Sequence, residues 1–389
     1  MAGNLPKMAV SQNQYTDICD TVRKICEDFP GEYWRRQEDL PLGEGYPEDF
    51  IKALEEAGIM AAGIPEEFDG VGLPLSALAE IVTTIHESGC NGSAFVAQSY
   101  LTALLLKHAS EAQKSELLPK LATGELRFQS LAISEPGTGD DIEQMSTFAT
   151  KTDQGFCISG SKSRAPFAVT SDYVLVLARS DASTGSTLFM IDKSAAKEPY
   201  FKAEPFEEMN NDFASSITFY DLTVSSQSAI GMIGSGVDIL EGTADFLRIL
   251  NAGAAIGDGR FFSRRGVAYA NERVVFGNLI GKYQGIQFPL AKAQVEIEAA
   301  SLSLRKAVTL HDNGADASVA AMVARHLSIE AAWAMADAAF TTHGGFAFAR
   351  EYDIERKWRD VRASRLSATP FKTDLLWIGE TALGLPRSY

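Results

Sequence analysis

Four stretches of the chain gather glycine, carboxylate and guanidinium groups closely enough to do chemistry. They are Ile64-Pro-Glu-Glu-Phe-Asp-Gly-Val-Gly-Leu73, Ser134-Glu-Pro-Gly-Thr-Gly-Asp-Asp141, Tyr269-Ala-Asn-Glu-Arg-Val-Val-Phe-Gly277, and His343-Gly-Gly-Phe-Ala-Phe348 with Glu355-Arg-Lys-Trp-Arg-Asp360. Glycine lets a backbone approach a ligand closely, and a guanidinium can clamp an oxyanion with two parallel hydrogen bonds. Three of them also have plainer readings: Glu135-Pro136 as the start of a loop, Arg273 as a helix-surface charge, Gly344-Gly345 as a helix terminator, and Arg359 with Asp360 as a structural ion pair. No serine-nucleophile elbow, paired-histidine zinc motif, phosphate-binding loop or dinucleotide fingerprint occurs, so hydrolase and kinase readings fall away. Cys19, Cys26, Cys90 and Cys157 form no Cys-x-x-Cys pair and have no neighbouring histidines. Cys19 and Cys26 share a helical stripe with Tyr15, Ile18, Val22, Ile25 and Phe29, which reads as a packed core and not a metal site. His343 is expected to pack or hydrogen-bond.

The elements that must position these stretches follow from periodicity. From Tyr15 to about residue 123 apolar residues recur at helical spacing. From about 125 to 224 short β-rich runs take over: Phe148–Thr152 and Phe156–Ser159 flank Asp153-Gln154-Gly155 as a hairpin, and Tyr173–Ala178, Thr187–Ile191 and Ile217–Val224 supply further strands. Beyond Gly231, Gly234 and Gly236 the helical period returns, with Ile297, Ala300, Leu304 and Ala307 on one face. The expected fold class is therefore α+β, with an N-terminal helical domain (1–124), a central β domain (125–235) and a C-terminal helical bundle (236–389), and all strands lying between the helical blocks. A chain of 389 residues can enclose a cofactor, and 35 basic against 51 acidic side chains give a net charge of −16. That field repels phosphate backbones and anionic lipid, so neither nucleic acid nor membrane is an expected partner. No wholly apolar run is longer than Tyr173–Ala178, which is too short to span a bilayer, and the expected location is cytoplasmic.

In order and spacing the four stretches resemble signatures of the acyl-CoA dehydrogenase family over nearly the whole chain. The resemblance implies FAD as cofactor. It places Ile133, Ser134, Gly139 and Asp140 at the flavin and its diphosphate, and Arg164 and Pro166 at the isoalloxazine ring. It implies that Arg273, Phe276, Gln284, Thr341, Gly344 and Gly345 reach the FAD of a neighbouring subunit, hence a homo-oligomer, dimer or tetramer. Asp245 and Arg248 match the family's Asp-x-x-Arg beside a CoA thioester, at the mouth of the pocket.

The chain leaves the family pattern where the chemistry should be. Family members remove the α-proton with a glutamate from one of two places, and here those positions hold Leu247 and the turn Ser367-Ala368-Thr369-Pro370. Arg164 stands for a ring-packing tryptophan, Pro166 for a threonine that reaches flavin N5, Asp140 for a serine and Thr341 for a glutamine. No catalytic residue can be named. The first expectation is a flavoenzyme of specialised metabolism that uses molecular oxygen, as oxidase or monooxygenase, on a CoA thioester. An enoyl-CoA-type reductase, a dehydrogenase with a relocated base, and a catalytically silent scaffold that keeps the fold are the alternatives.

Overall fold

The computed structural model describes residues 15–138, 144–210, 213–366 and 374–386. Six helices come first: α1 (Thr16–Glu27), α2 (Gly31–Glu38), α3 (Glu48–Glu56), α4 (Leu75–Glu87), α5 (Ser93–His108) and α6 (Glu111–Ala122). Prolines 30, 47 and 74 stand immediately before α2, α3 and α4, where no intrahelical N–H is needed. Ser110 and Gln113 close a capping box at the start of α6. Cys19, Val22 and Cys26 form the buried stripe of α1, as their spacing requires.

Eight strands follow: β1 (Ser130–Ala132), β2 (Phe148–Thr152), β3 (Gly155–Pro166), β4 (Tyr173–Ser180), β5 (Ser186–Asp192), β6 (Phe201–Pro205), β7 (Ala214–Val224) and β8 (Ala229–Ile230). They form one sheet in the order β6-β7-β3-β2-β4-β5-β8, with β1 added parallel to β4. The expected hairpin is β2–β3, with Phe148 opposite Ser159 and Thr152 opposite Gly155. Val174 to Ala178 are all fully buried, so this apolar run is a strand covered on both faces. The β3–β7 ladder shifts register between Lys162 and Ala165. Both of those side chains are buried, and the extra residue turns Arg164 away from them.

The last block is α7 (Gly236–Glu241), α8 (Ala244–Glu272), a small hairpin of β9 (Val274–Val275) and β10 (Asn278–Leu279), α9 (Gln284–Asp312), α10 (Ser318–His343), α11 (Ile354–Leu366) and α12 (Asp374–Trp377). The hairpin corrects the expectation that every strand lies between the helical blocks. Its turn residues, Phe276 and Gly277, take φ of 51° and 76°, the positive values a two-residue hairpin turn needs. Ile297, Ala300, Leu304 and Ala307 are buried on α9 as expected. A Cβ added to Gly253 would lie 2.8 Å from the Ala79 carbonyl oxygen, and one on Gly257 2.3 Å from that of Thr83. Glycine at these two positions therefore lets α8 pack backbone to backbone on α4. One core joins helices of the first and last blocks, and further cores lie between α5, α6 and the sheet and within the sheet. No helix among the described residues is long and apolar enough to cross a membrane.

Candidate active site

An interior cavity of about 310 Å³ lies where the three blocks meet. Its lining repeats the helical period of each wall. Helix α5 contributes Ser93, Val96, Ala97, Tyr100 and Leu101, and α8 contributes Leu247, Asn251, Ala254 and Asp258. Arg325 and Ile329 come from α10, and Asp360, Ala363 and Ser364 from α11. Arg164, Pro166 and Phe167, at the end of β3, complete one side. Leu247, which the resemblance aligns with one of the family's two glutamate positions, thus faces the cavity.

Arg164 is not an isolated cation. Its Nε donates to Glu208 Oε1 at 2.9 Å and its Nη2 to Oε2 at 3.3 Å, a two-pronged ion pair that balances the charge expected beside the ring. Arg248 also departs from expectation. It is 3% exposed, does not line the cavity, and pairs with Asp245 Oδ1 at 2.9 Å. Asp374 lies 3.7 Å from its Nε and bonds Arg325 Nη1 at 2.6 Å. A guanidinium taken out of water needs carboxylates, and Asp245, one helical turn back, supplies the nearest. The pair is therefore part of a buried charge cluster behind the Leu247 end of the cavity, not an exposed pair at its mouth.

The opposite end holds a set of groups that sequence reasoning did not pick out. His86, from α4, places Nδ1 3.0 Å from Asp258 Oδ1, and its Nε2 accepts the Gly92 N–H at 3.1 Å. Accepting at Nε2 fixes the neutral tautomer that donates from Nδ1. Lys357, fully buried on α11, brings Nζ to 2.6 Å from the same Asp258 oxygen. Burial is the largest influence on Asp258 and pushes its pKa up, but Lys357 and His86 together hold it below the ordinary carboxylate range. The signal was present: 247, 251, 254 and 258 share one helical face, and Asp258 is its only carboxylate. Asp360 also lines the cavity, 3.7 Å from Lys357. It does not pair with Arg359, which bonds Glu38 and Glu355, because adjacent helical residues point away from each other.

Glu135, whose plainer reading was a loop start, is a clamp within the second stretch. Its carboxylate accepts from the Ser146 N–H and hydroxyl at 2.6 Å each, from the Thr147 N–H at 2.9 Å and from Lys162 Nζ at 2.8 Å. Lys162 also donates to the Ile133 carbonyl at 2.9 Å, and the Ser163 N–H to that of Ser134 at 2.9 Å. Burial opposes ionisation of Glu135, yet Lys162 and the Ser146 and Thr147 donors bring its pKa down to about 2; burial takes Lys162 down to about 8 in spite of Glu135. The clamp ties Ile133 and Ser134 to β3 two residues before Arg164. Gly139, Asp140 and the turn 367–370 lie outside the described residues.

The remaining predicted residues gather elsewhere, around an open basin of about 950 Å³ on the last block. Arg273, Phe276, Gly344 and Gly345 line it, while Gln284 and Thr341 are exposed on the adjoining ends of α9 and α10. Phe276 is 93% exposed, and a Cβ added to Gly344 or Gly345 would meet nothing within 4 Å. Arg273 lies over the Phe346 ring, 5.6 Å from its centre. His343 packs as expected: its ring stacks on Tyr269 at 4.3 Å and Nδ1 donates to the Ala339 carbonyl at 2.7 Å. A guanidinium with no carboxylate partner among the described residues, exposed aromatic rings and bare glycine backbone are what a dinucleotide's phosphates and flat ring systems call for, so the basin fits FAD. Among the described residues no cluster of histidine, cysteine and carboxylate groups could hold a metal.

Comparison with known proteins converges on one family. Models of the acyl-CoA dehydrogenase N-terminal, middle and C-terminal domains match residues 12–125, 130–221 and 234–368. The chain is 30% identical over 342 residues to acyl-CoA dehydrogenase FadE12 of Mycobacterium tuberculosis, spanning 85% of this chain and 87% of that one. It is 28% identical over 361 residues to a 3-(aryl)acrylate reductase of Clostridium sporogenes, spanning 90% and 94%. The fold superposes on butyryl-CoA dehydrogenase from Megasphaera elsdenii with a TM-score of 0.85 at 24% identity, covering 98% of this chain and all of that one.

Proposed function

Because the chain belongs to the acyl-CoA dehydrogenase family and is an FAD-dependent oxidoreductase of that kind, we propose that it acts on a CoA thioester held in the interior cavity, by chemistry that does not begin with an α-carbon glutamate. The observation that carries this reading is Leu247, an apolar residue on the cavity face of α8 at one of the family's two glutamate positions. Bound FAD supplies a two-electron redox partner. Arg273 meets its phosphates, and a second copy of the chain covers the basin around Phe276. The Glu135–Lys162 clamp fixes the strand end that carries Arg164, and the Arg164–Glu208 pair keeps that wall electrically balanced. Asp258 is a poor general base, since Lys357 and His86 already stabilise its ionised form.

With no positioned base, saturated acyl-CoAs lose about 10² to 10⁴ in the rate of flavin reduction. We favour a reaction of the reduced flavin with oxygen, as oxidase or monooxygenase. Similarity to the 3-(aryl)acrylate reductase supports a second reading, hydride delivery to an unsaturated acyl group. The test is anaerobic stopped-flow on the FAD-loaded protein, first with straight-chain acyl-CoAs, then, after chemical reduction, with air or with an enoyl-CoA. The expected result is slow bleaching by saturated esters and fast reoxidation by air. Sluggish reoxidation by air with fast reoxidation by the enoyl ester establishes the reductase. Rapid bleaching by a saturated ester overturns the proposal and makes Asp360, the other cavity carboxylate, the first base to replace.

A further inference from the structure

The cavity wall changes chemistry along α8. At Leu247 it is apolar, and eleven residues on, about 16 Å at the rise of a helix, it is Asp258. The start of α5 closes the same end, because His86 bridges Asp258 and the Gly92 N–H, and Asn91 Oδ1 accepts the Ser93 N–H at 2.8 Å. With Leu247 at the position where the resemblance puts the α-carbon base, this is the end remote from the thioester.

Its polar groups are only half used. Lys357 and His86 both meet Oδ1 of Asp258, so Oδ2 is the atom a ligand in the cavity can use. The Ser93 hydroxyl and the Asn91 amide nitrogen make no hydrogen bond with the described residues, and both residues line the cavity. A hydrocarbon chain would strip water from all of these groups and satisfy none, at a cost that a site for plain fatty acyl chains has no reason to bear. Asp258 is already balanced by Lys357, so the fitting partner is a neutral donor and not a second cation.

We propose that the acyl group taken by this cavity carries a hydroxyl on its distal half, and that Asp258 Oδ2 accepts the hydrogen bond from it, with Ser93 and Asn91 beside the same end. The proposal rests on the reading of the cavity as an acyl-thioester site and names the substrate class for it. Asp258 acts here as a specificity residue, oriented by His86 and Lys357, and takes no proton.

The experiment titrates FAD-loaded protein under anaerobic conditions with octanoyl-, decanoyl- and dodecanoyl-CoA, their terminal-hydroxy derivatives and 12-aminododecanoyl-CoA, following the flavin absorbance. At least one hydroxy ester is expected to bind about tenfold or more tightly than its unsubstituted parent. In Asp258→Asn that preference falls towards one. Because replacing a buried ion-pair partner can unfold the chain, Ser93→Ala is measured beside it and is expected to lower the ratio of hydroxy-ester to parent-ester affinity. Equal binding of every hydroxy ester and its parent overturns the proposal and leaves the thioester reading standing. Preference for the amino ester overturns the hydroxyl in favour of a cation. If no ester binds to protein that retains FAD, the thioester reading fails and the proposal fails with it.

Discussion

At the closed end of the interior cavity, Asp258 is 2% exposed and meets Lys357 and His86 within its own chain; at the basin, Phe276 is 93% exposed and Arg273 has no carboxylate partner among the described residues. One region is finished by a single chain and the other is left open. The difference is one of what desolvates the charge. A carboxylate buried by the fold itself needs its counter-charge in the same fold, or the fold does not form. A guanidinium that only a ligand or a second subunit will desolvate can stay hydrated until they arrive. The cavity charges should therefore report on stability, and the basin charge on cofactor binding.

The largest effect expected is at Lys357. Lys357→Met keeps most of the side-chain volume but leaves Asp258 buried beside a neutral histidine, at a cost of about 3 to 5 kcal/mol in unfolding free energy. Urea unfolding measures it, and a change below about 1 kcal/mol would show that the cavity charges are not held by the fold. The Glu135 clamp adds a pH dependence of known sign. Its folded pKa of about 2 lies below the ordinary glutamate value of 4.5, so its stabilisation is fully present above the ordinary glutamate range and is lost as pH falls through about 2. The lost part is about 3 kcal/mol. Glu135→Gln is less stable than the native chain at pH 6, and the gap narrows towards pH 2. A gap that stays constant with pH would rule out the clamp as the origin.

The fold was legible because periodicity survives in single elements: the β2–β3 hairpin, the apolar run Tyr173–Ala178 of β4 and the Ile297-to-Ala307 face of α9 are all local patterns. The family stretches were legible as motifs, and Arg273, Phe276, Gly344 and Gly345 do line one basin. What could not be read was pairing across distant elements. Lys357 lies 99 residues beyond Asp258 and His86 lies 172 before it, so no local window contains the cluster. Arg164 and Glu208 are 44 apart, and nothing in the strand pattern announces the register shift that turns Arg164 towards that partner. Arg248 matched its motif and still differed in setting, since a motif carries residue type and spacing but not the carboxylate that Asp374 brings from the end of the chain.

The smallest expected effect lies at the basin, and it is the one that tests the other half of the comparison. Arg273→Ala removes one charged hydrogen-bonding group from the FAD phosphates, about 2 kcal/mol or thirtyfold in FAD affinity, without touching a buried pair. Equilibrium dialysis should show the loss, while urea unfolding of the flavin-free chain stays within about 0.5 kcal/mol of the native value, as for a surface substitution. If the variant instead loses stability as Lys357→Met does, Arg273 belongs to the fold and the two regions are built alike. Dilution separates the ligand from the second subunit. When a second copy covers Phe276 and the Gly344-Gly345 backbone, FAD fluorescence rises over the same protein concentrations at which sedimentation shows the assembly coming apart. A monomer that keeps its full FAD through that range would mean that one chain completes the basin alone.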